Sequence, residues 1–167
     1  LFALPWALAG AFYAADGIPP LRPLLWIFLA MISARTAAMT FNRIADAAID
    51  AKNPRTQNRA IPRGLISRTL AAGITVAMIA LFALSAAMLN RLCLILVPVA
   101  LLVLFGYSYT KRFTSLCHFV LGLSLAMAPI GAWLAIRPEW HPFPLLLGAT
   151  VLFWIAGADI LYACEDF

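Results

Sequence analysis

The sequence predicts an all-α protein: a polytopic transmembrane bundle of about six helices in one domain covering residues 1–167. Three observations predict it. Only 11% of the residues are charged and 64% are hydrophobic, whereas a soluble domain carries about 25% charged residues. So few charges could not cover a water-facing surface, and the mean hydropathy of +0.93 agrees. The uncharged stretches approach or reach the roughly 20 residues that a helix needs to cross a bilayer. Lys and Arg collect at alternate ends of those stretches, the asymmetry that orients a multi-pass protein. The net charge of +5 therefore reads as membrane topology, and no nucleic-acid partner is expected.

Leu1–Ala15 is apolar and makes most of a first membrane helix, which Asp16-Gly17 and Pro19-Pro20 end. It lacks the basic start and small-residue cleavage site of a signal peptide. A second helix is expected from about Pro23 to Asp50. Its first half is uncharged as far as Ala34, and Arg35 then falls below the membrane surface. A charge there either faces a polar interior or snorkels to the interface. Ala51–Ile66 is a polar, basic loop, longer than a tight turn, and loops of that length are often functional. Ser67 is placed to cap a third helix, Thr69–Leu89. After a short turn at Asn90-Arg91, Leu92–Thr110 is the fourth span and Leu116–Ile136 the fifth. The segment Arg137-Pro138-Glu139-Trp140-His141-Pro142 is a hairpin with an interfacial Trp. Phe143–Ala158 is the sixth span and leads into Asp159. Cys93, Cys117 and Cys164 form no C-x-x-C pair and read as small packing residues. The chain opens on Leu1 in an already apolar run and stops at Phe167 inside a polar motif, so it is expected to be incomplete at both ends.

Six alternating crossings put the ends of the second, fourth and sixth helices on one side. Of the 12 Lys and Arg, Arg43, Lys52, Arg55, Arg59, Arg63, Arg68, Lys111 and Arg112 fall there, against Arg22, Arg91 and Arg137 opposite. That side is expected to be cytoplasmic. It also holds Asp46, Asp50, Asp159, Glu165 and Asp166, so acids and bases distant in sequence meet at one face.

The chemistry concentrates in Phe41–Gly64, FNRIADAAIDAKNPRTQNRAIPRG. Asn42, Asp46 and Asp50 stand four residues apart, and each such helical step turns a side chain by only about 40° while advancing it about 6 Å. They form one drifting stripe of oxygen donors, a donor set that suits Mg²⁺ with substrate phosphates. Lys52, Arg55, Arg59 and Arg63 follow as natural phosphate partners. A second acidic stripe runs Asp159, Tyr162, Asp166, with the two acids two turns apart. A third element is Tyr107-Ser108-Tyr109-Thr110-Lys111-Arg112 at the end of the fourth span.

These three segments resemble, in order, the N-x-x-x-D-x-x-x-D motif, the Tyr…Lys-Arg segment and the second aspartate-rich motif of the UbiA-type intramembrane aromatic prenyltransferases. The likeness is greatest to the 4-hydroxybenzoate polyprenyltransferase-like branch, including members that resemble menaquinone-pathway enzymes. The resemblance implies a nine-helix fold, of which about three C-terminal helices would lie beyond this chain. It implies transfer of a polyprenyl group from a polyprenyl diphosphate to an aromatic acceptor, 4-hydroxybenzoate or a related quinone precursor, in the bacterial inner membrane with the active site facing the cytoplasm. Asn42, Asp46, Asp50, Asp159 and Asp166 would hold Mg²⁺, the four aspartates being catalytic. Asn42, Arg55, Arg59, Tyr107, Lys111, Arg112 and Tyr162 would bind substrate, with a tyrosine ring facing the allylic cation. His118 is either a general base or a packed, interfacial histidine. Glu165 points about 100° from Asp166 and reads as solvated. The tryptophans read as anchors or packing residues.

An ion-coupled membrane transporter is the competing class, and a relative that prenylates a non-benzoate acceptor is the nearer alternative. Transporters favour midplane acids; here the acids sit at helix ends beside a basic loop. A lipid-headgroup phosphotransferase would need a D-G-x-x-A-R pattern, and Asp16-Gly17 is followed by Ile18-Pro19-Pro20 instead.

Overall fold

The computed structural model describes residues 2–164, and its regular structure is entirely helical. The helices are α1 (Leu4–Ala14), α2 (Leu21–Asp50), α3 (Arg68–Leu89), α4 (Arg91–Thr110), α5 (Cys117–Ile136) and α6 (Pro142–Cys164). Among the described residues, α2 to α6 are long and apolar enough to cross a membrane. The 11 residues of α1 extend about 16 Å at 1.5 Å per residue, well short of a bilayer core of about 30 Å. The protein is an integral, multi-pass membrane protein.

The helix ends follow from local chemistry. Ser67 accepts a hydrogen bond from the Leu70 amide at 3.1 Å and caps α3. Asn90 is more than a turn residue. Its Oδ1 accepts from the Cys93 amide at 2.9 Å, capping α4, and its Nδ2 donates to the Leu134 carbonyl at 2.7 Å, tying α4 to the end of α5. α6 continues past Ala158 to Cys164, so Asp159 lies within a helix.

Packing relies on small residues, as expected where neighbouring helices gain little by excluding lipid. Ala7, Ala11 and Ala14 of α1 are fully buried, and Ala7 and Ala11 cluster with Ala132 and Ala135 of α5. A Cβ on Gly10 would sit 2.5 Å from the Pro129 carbonyl oxygen, so α1 meets α5 backbone to backbone. The α5–α6 seam is equally close. A Cβ on Gly122 would lie 2.4 Å from the Leu152 carbonyl oxygen, and one on Gly148 would lie 3.2 Å from the Ala126 oxygen. Thr75 of α3 donates to Thr40 of α2 at 2.9 Å, a polar tie inside an otherwise apolar contact.

Contacts across the bundle sort the connections into two ends. At one end Arg137, after α5, pairs with Asp16, after α1. There Trp133 is buried and stacks on His141, with ring centroids 5.0 Å apart, whereas Trp140 is exposed. At the other end, the close of α4 touches the close of α2, and the start of α5 touches the close of α6. The alternation read from the sequence is therefore present in three dimensions.

Candidate functional site

The site lies at that second end. α2 carries Asn42, Asp46 and Asp50 down one side, and the structure divides them. Lys111, just past the end of α4, donates from Nζ to Asn42 Oδ1 at 2.7 Å and pairs with Asp46 Oδ2. Arg112 reaches the same carboxylate, with Nη2 3.4 Å from Asp46 Oδ1 and 2.8 Å from the Ala45 carbonyl oxygen. Asp46 is buried, and both its oxygens face cations. Asp50 faces the 51–66 loop instead. Arg59 Nη1 lies 2.8 Å from each of its oxygens, and Thr56 donates to its backbone carbonyl at 3.1 Å. The pair Asp50–Arg59 thus pins the basic loop to the end of α2. The physical reason for the division is helix drift: eight residues carry Asp50 about 80° round from Asn42.

Between the start of α5 and the last turns of α6, His118 Nδ1 lies 2.6 Å from Asp159 Oδ2. Tyr107, on the last turn of α4, lines the cavity beside Asn42. The Lys111 ammonium lies 5.9 Å from the Tyr107 ring centre, and the Arg112 guanidinium lies 5.4 Å from that of Tyr109.

Of the residues singled out from the sequence, Asn42, Asp46, Lys111 and Arg112 are brought into direct contact. Asp50 and Arg59 meet beside them. Arg55 is exposed in the loop, and Tyr162 is exposed one turn beyond Asp159. Asp166 and Glu165 lie outside the described residues. The sequence reading left the role of His118 open; its contact is with Asp159. Its spacing from other motif residues carried no signal, because the pairing depends on how α5 and α6 are registered.

A cavity of about 460 Å³ opens below these groups. Ile27, Met31, Leu89, Leu96, Leu104 and Leu125 give its apolar wall, and Asn42 and Tyr107 form its polar end. From Ile27 to Asn42 it follows α2 for about 22 Å at the helical rise. Arg35 lines it too, two turns before Asn42, and has no ion-pair partner among the described residues.

A polar cluster of acids and bases thus sits at one end of an apolar cavity. The model of the UbiA prenyltransferase family matches residues 3–167. The chain belongs to the UbiA prenyltransferase family. It is similar to the 4-hydroxybenzoate octaprenyltransferase of Aliivibrio fischeri, with 32% identity over 161 residues covering 96% of this chain and 55% of that protein. It is 34% identical to the enzyme of the same name from Vesicomyosocius okutanii over 166 residues, covering 96% of this chain and 58% of that one. The solved apo structure of a UbiA homolog from Aeropyrum pernix K1 superposes with a TM-score of 0.88 and 32% identity, over 99% of this chain and 62% of that one. The chain thus spans somewhat more than half the length of the curated UbiA relatives it matches.

Among the described residues no three His, Cys, Asp or Glu side chains form a ready metal cluster. The donors nevertheless fit a hard divalent ion. Asn42 Oδ1 and Asp46 Oδ2 already share one cation, the Lys111 ammonium, and so converge on a common point. All of these donors are oxygens, the ligands Mg²⁺ prefers.

Proposed function

We propose that the protein bearing this chain transfers a polyprenyl group from a polyprenyl diphosphate to an aromatic acid, 4-hydroxybenzoate or a related quinone precursor. The observation that carries this reading is the convergence of Lys111 and Arg112 on Asn42 and Asp46 at the polar end of a long apolar cavity. A prenyl diphosphate has the same division, a multiply charged head and an apolar tail. Asn42, Asp46, Asp50 and Asp159, with Asp166 beyond the described residues, would hold Mg²⁺. When bound, that ion neutralises the diphosphate oxygens and makes the diphosphate a better leaving group. Lys111 and Arg112 would turn from Asp46 to those oxygens, with Arg55 and Arg59 as further loop cations. Departure of the diphosphate leaves an allylic cation, which the Tyr107 ring face would stabilise; Tyr162 remains a second candidate for substrate contact. A ring carbon of the acceptor then forms the new bond, and the ring regains aromaticity by losing a proton.

Arg35 favours an acidic acceptor. Arg35 is exposed at the cavity wall with no ion-pair partner among the described residues; a charge at membrane depth gains from a counter-ion, and the carboxylate of an aromatic acid would supply one. The test is the full-length protein in membranes with Mg²⁺, prenyl diphosphates and a panel of aromatic acids and neutral phenols, read by mass spectrometry. Prenylated acid is expected. Arg35→Met should raise the KM for the acid about tenfold or more, the loss of one charge-assisted hydrogen bond, while the KM for the prenyl diphosphate stays unchanged. Ion-coupled flux without any prenylated product would favour the transporter reading instead.

The excess of Lys and Arg at the site end supports a cytoplasmic active site in the inner membrane. In a cysteine-free background, single cysteines at Asn58 and Glu139 should label from opposite sides, with Asn58 cytoplasmic. Labelling from the same side would remove the topology.

A further inference from the structure

We propose that His118 is the positioning residue of the second acidic segment: by donating from Nδ1 to Asp159 Oδ2 it holds that carboxylate ready for the metal–diphosphate. This rests on the assignment of Asp159 to a cation made above and adds a residue to it. An ionised carboxylate only accepts hydrogen bonds, so Nδ1 carries the hydrogen in this 2.6 Å contact. Asp159 Oδ1 accepts no hydrogen bond from the described residues and is left for a cation.

The contact is a consequence of the α5–α6 seam. Gly122 lies so close to the Leu152 backbone that a Cβ there would not fit, and Gly148 faces the Ala126 carbonyl oxygen across the same seam, so the two helices pack backbone to backbone in one register. Phe119 and Phe153 meet edge to face, with centroids 6.4 Å apart, in the same register. Carried toward the helix ends, that register sets His118, on the first turn of α5, against Asp159 of α6. Both side chains are only part-exposed, 21% and 31%, so water competes weakly for the bond. The partner of Asp46 is different in kind. Lys111 and Arg112 are flexible cations suited to exchanging a carboxylate for a phosphate, whereas the imidazole is short and fixed at its Cβ. A carboxylate that holds metal is usually oriented by such a neighbour, whose loss weakens metal affinity about 10–100-fold.

The experiment uses the full-length protein with geranyl S-thiolodiphosphate, a poorly ionising analogue. Mn²⁺ affinity is read by electron paramagnetic resonance, and the Mg²⁺ dependence of prenyl transfer is measured in parallel. His118→Ala should weaken Mn²⁺ binding at least about tenfold and raise the half-saturating Mg²⁺ to match, with the thermal midpoint and the acceptor KM unchanged. His118→Asn places an amide N–H at the position of Nδ1 and should restore near-normal values. Wild-type Mn²⁺ affinity in His118→Ala, or an equal defect in His118→Asn, overturns the proposal. Asp159→Asn separates the two levels. If it too leaves Mn²⁺ affinity intact, the cation assignment falls and this inference with it; if it weakens Mn²⁺ while His118→Ala does not, only the role of His118 is lost.

Discussion

Asp46→Asn should lower prenyl transfer about 10²–10³-fold, equivalent to roughly 3–4 kcal/mol, the usual effect of deleting one preorganised electrostatic group. The change keeps the size of the side chain and removes its charge. Asp46 is buried, and it is the group on which Lys111 and Arg112 converge. On the proposed mechanism, losing its charge would remove both a ligand to the cation and the anchor that holds Lys111 and Arg112, the side chains assigned to the diphosphate. The step that suffers is departure of the diphosphate, so kcat should fall while the acceptor KM changes little. The fold should persist, because Lys111 and Arg112 are part-exposed, at 27% and 36%, and water can solvate them once released. Steady-state kinetics with excess Mg²⁺, alongside a thermal melt in detergent, checks both halves. Near-normal transfer in this variant would end the assignment of the site.

Gly122→Leu should destroy the bundle rather than the chemistry. A Cβ at that position would fall 2.4 Å from the Leu152 carbonyl oxygen, 3.1 Å from its carbonyl carbon and 3.2 Å from its Cα. All three are backbone atoms of α6, so no side chain can turn aside to make room. The helices must separate, which opens the seam, breaks the Phe119–Phe153 contact and pulls His118 from Asp159. Overpacking of this kind typically destabilises by about 1–3 kcal/mol and sometimes more; a leucine driven into backbone belongs at or above the upper end. Fluorescence-detected size-exclusion after heating should show a large fall in midpoint, or no monodisperse protein. Gly131→Ala is the control. Nothing lies within 4 Å of a Cβ there, so the change should be neutral or stabilise by up to about 1 kcal/mol through helix propensity. Equal behaviour of the two variants would mean that the α5–α6 approach is looser than the glycine contacts require.

Much of the molecule is legible in the sequence because its physics is local. The apolar runs carry their own length, and lipid leaves a backbone little choice but to form helices. Ser67 announces the start of α3, and the Asp16-Gly17 and Pro19-Pro20 breaks separate α1 from α2. The four-residue spacing of Asn42, Asp46 and Asp50 puts them along one stripe whatever surrounds them. The order of the three family-like segments, together with the alternation of crossings, already brings α2, α4 and α6 to one end.

What depends on contacts between helices was decided only by the tertiary structure. A stripe does not say which cation meets which acid. Lys111 joins Asn42 and Asp46, and Arg59 turns back to Asp50, because the helix drifts and the loop folds onto its end. The apolar run at the start of the chain announced α1, but only the structure shows that its alanine face is buried against α5. That Arg35 lines the cavity wall is likewise a matter of tertiary packing. The His118–Asp159 pair was invisible because its two members lie 41 residues apart. Only the close approach of two glycine-bearing helix backbones sets the register in which they meet.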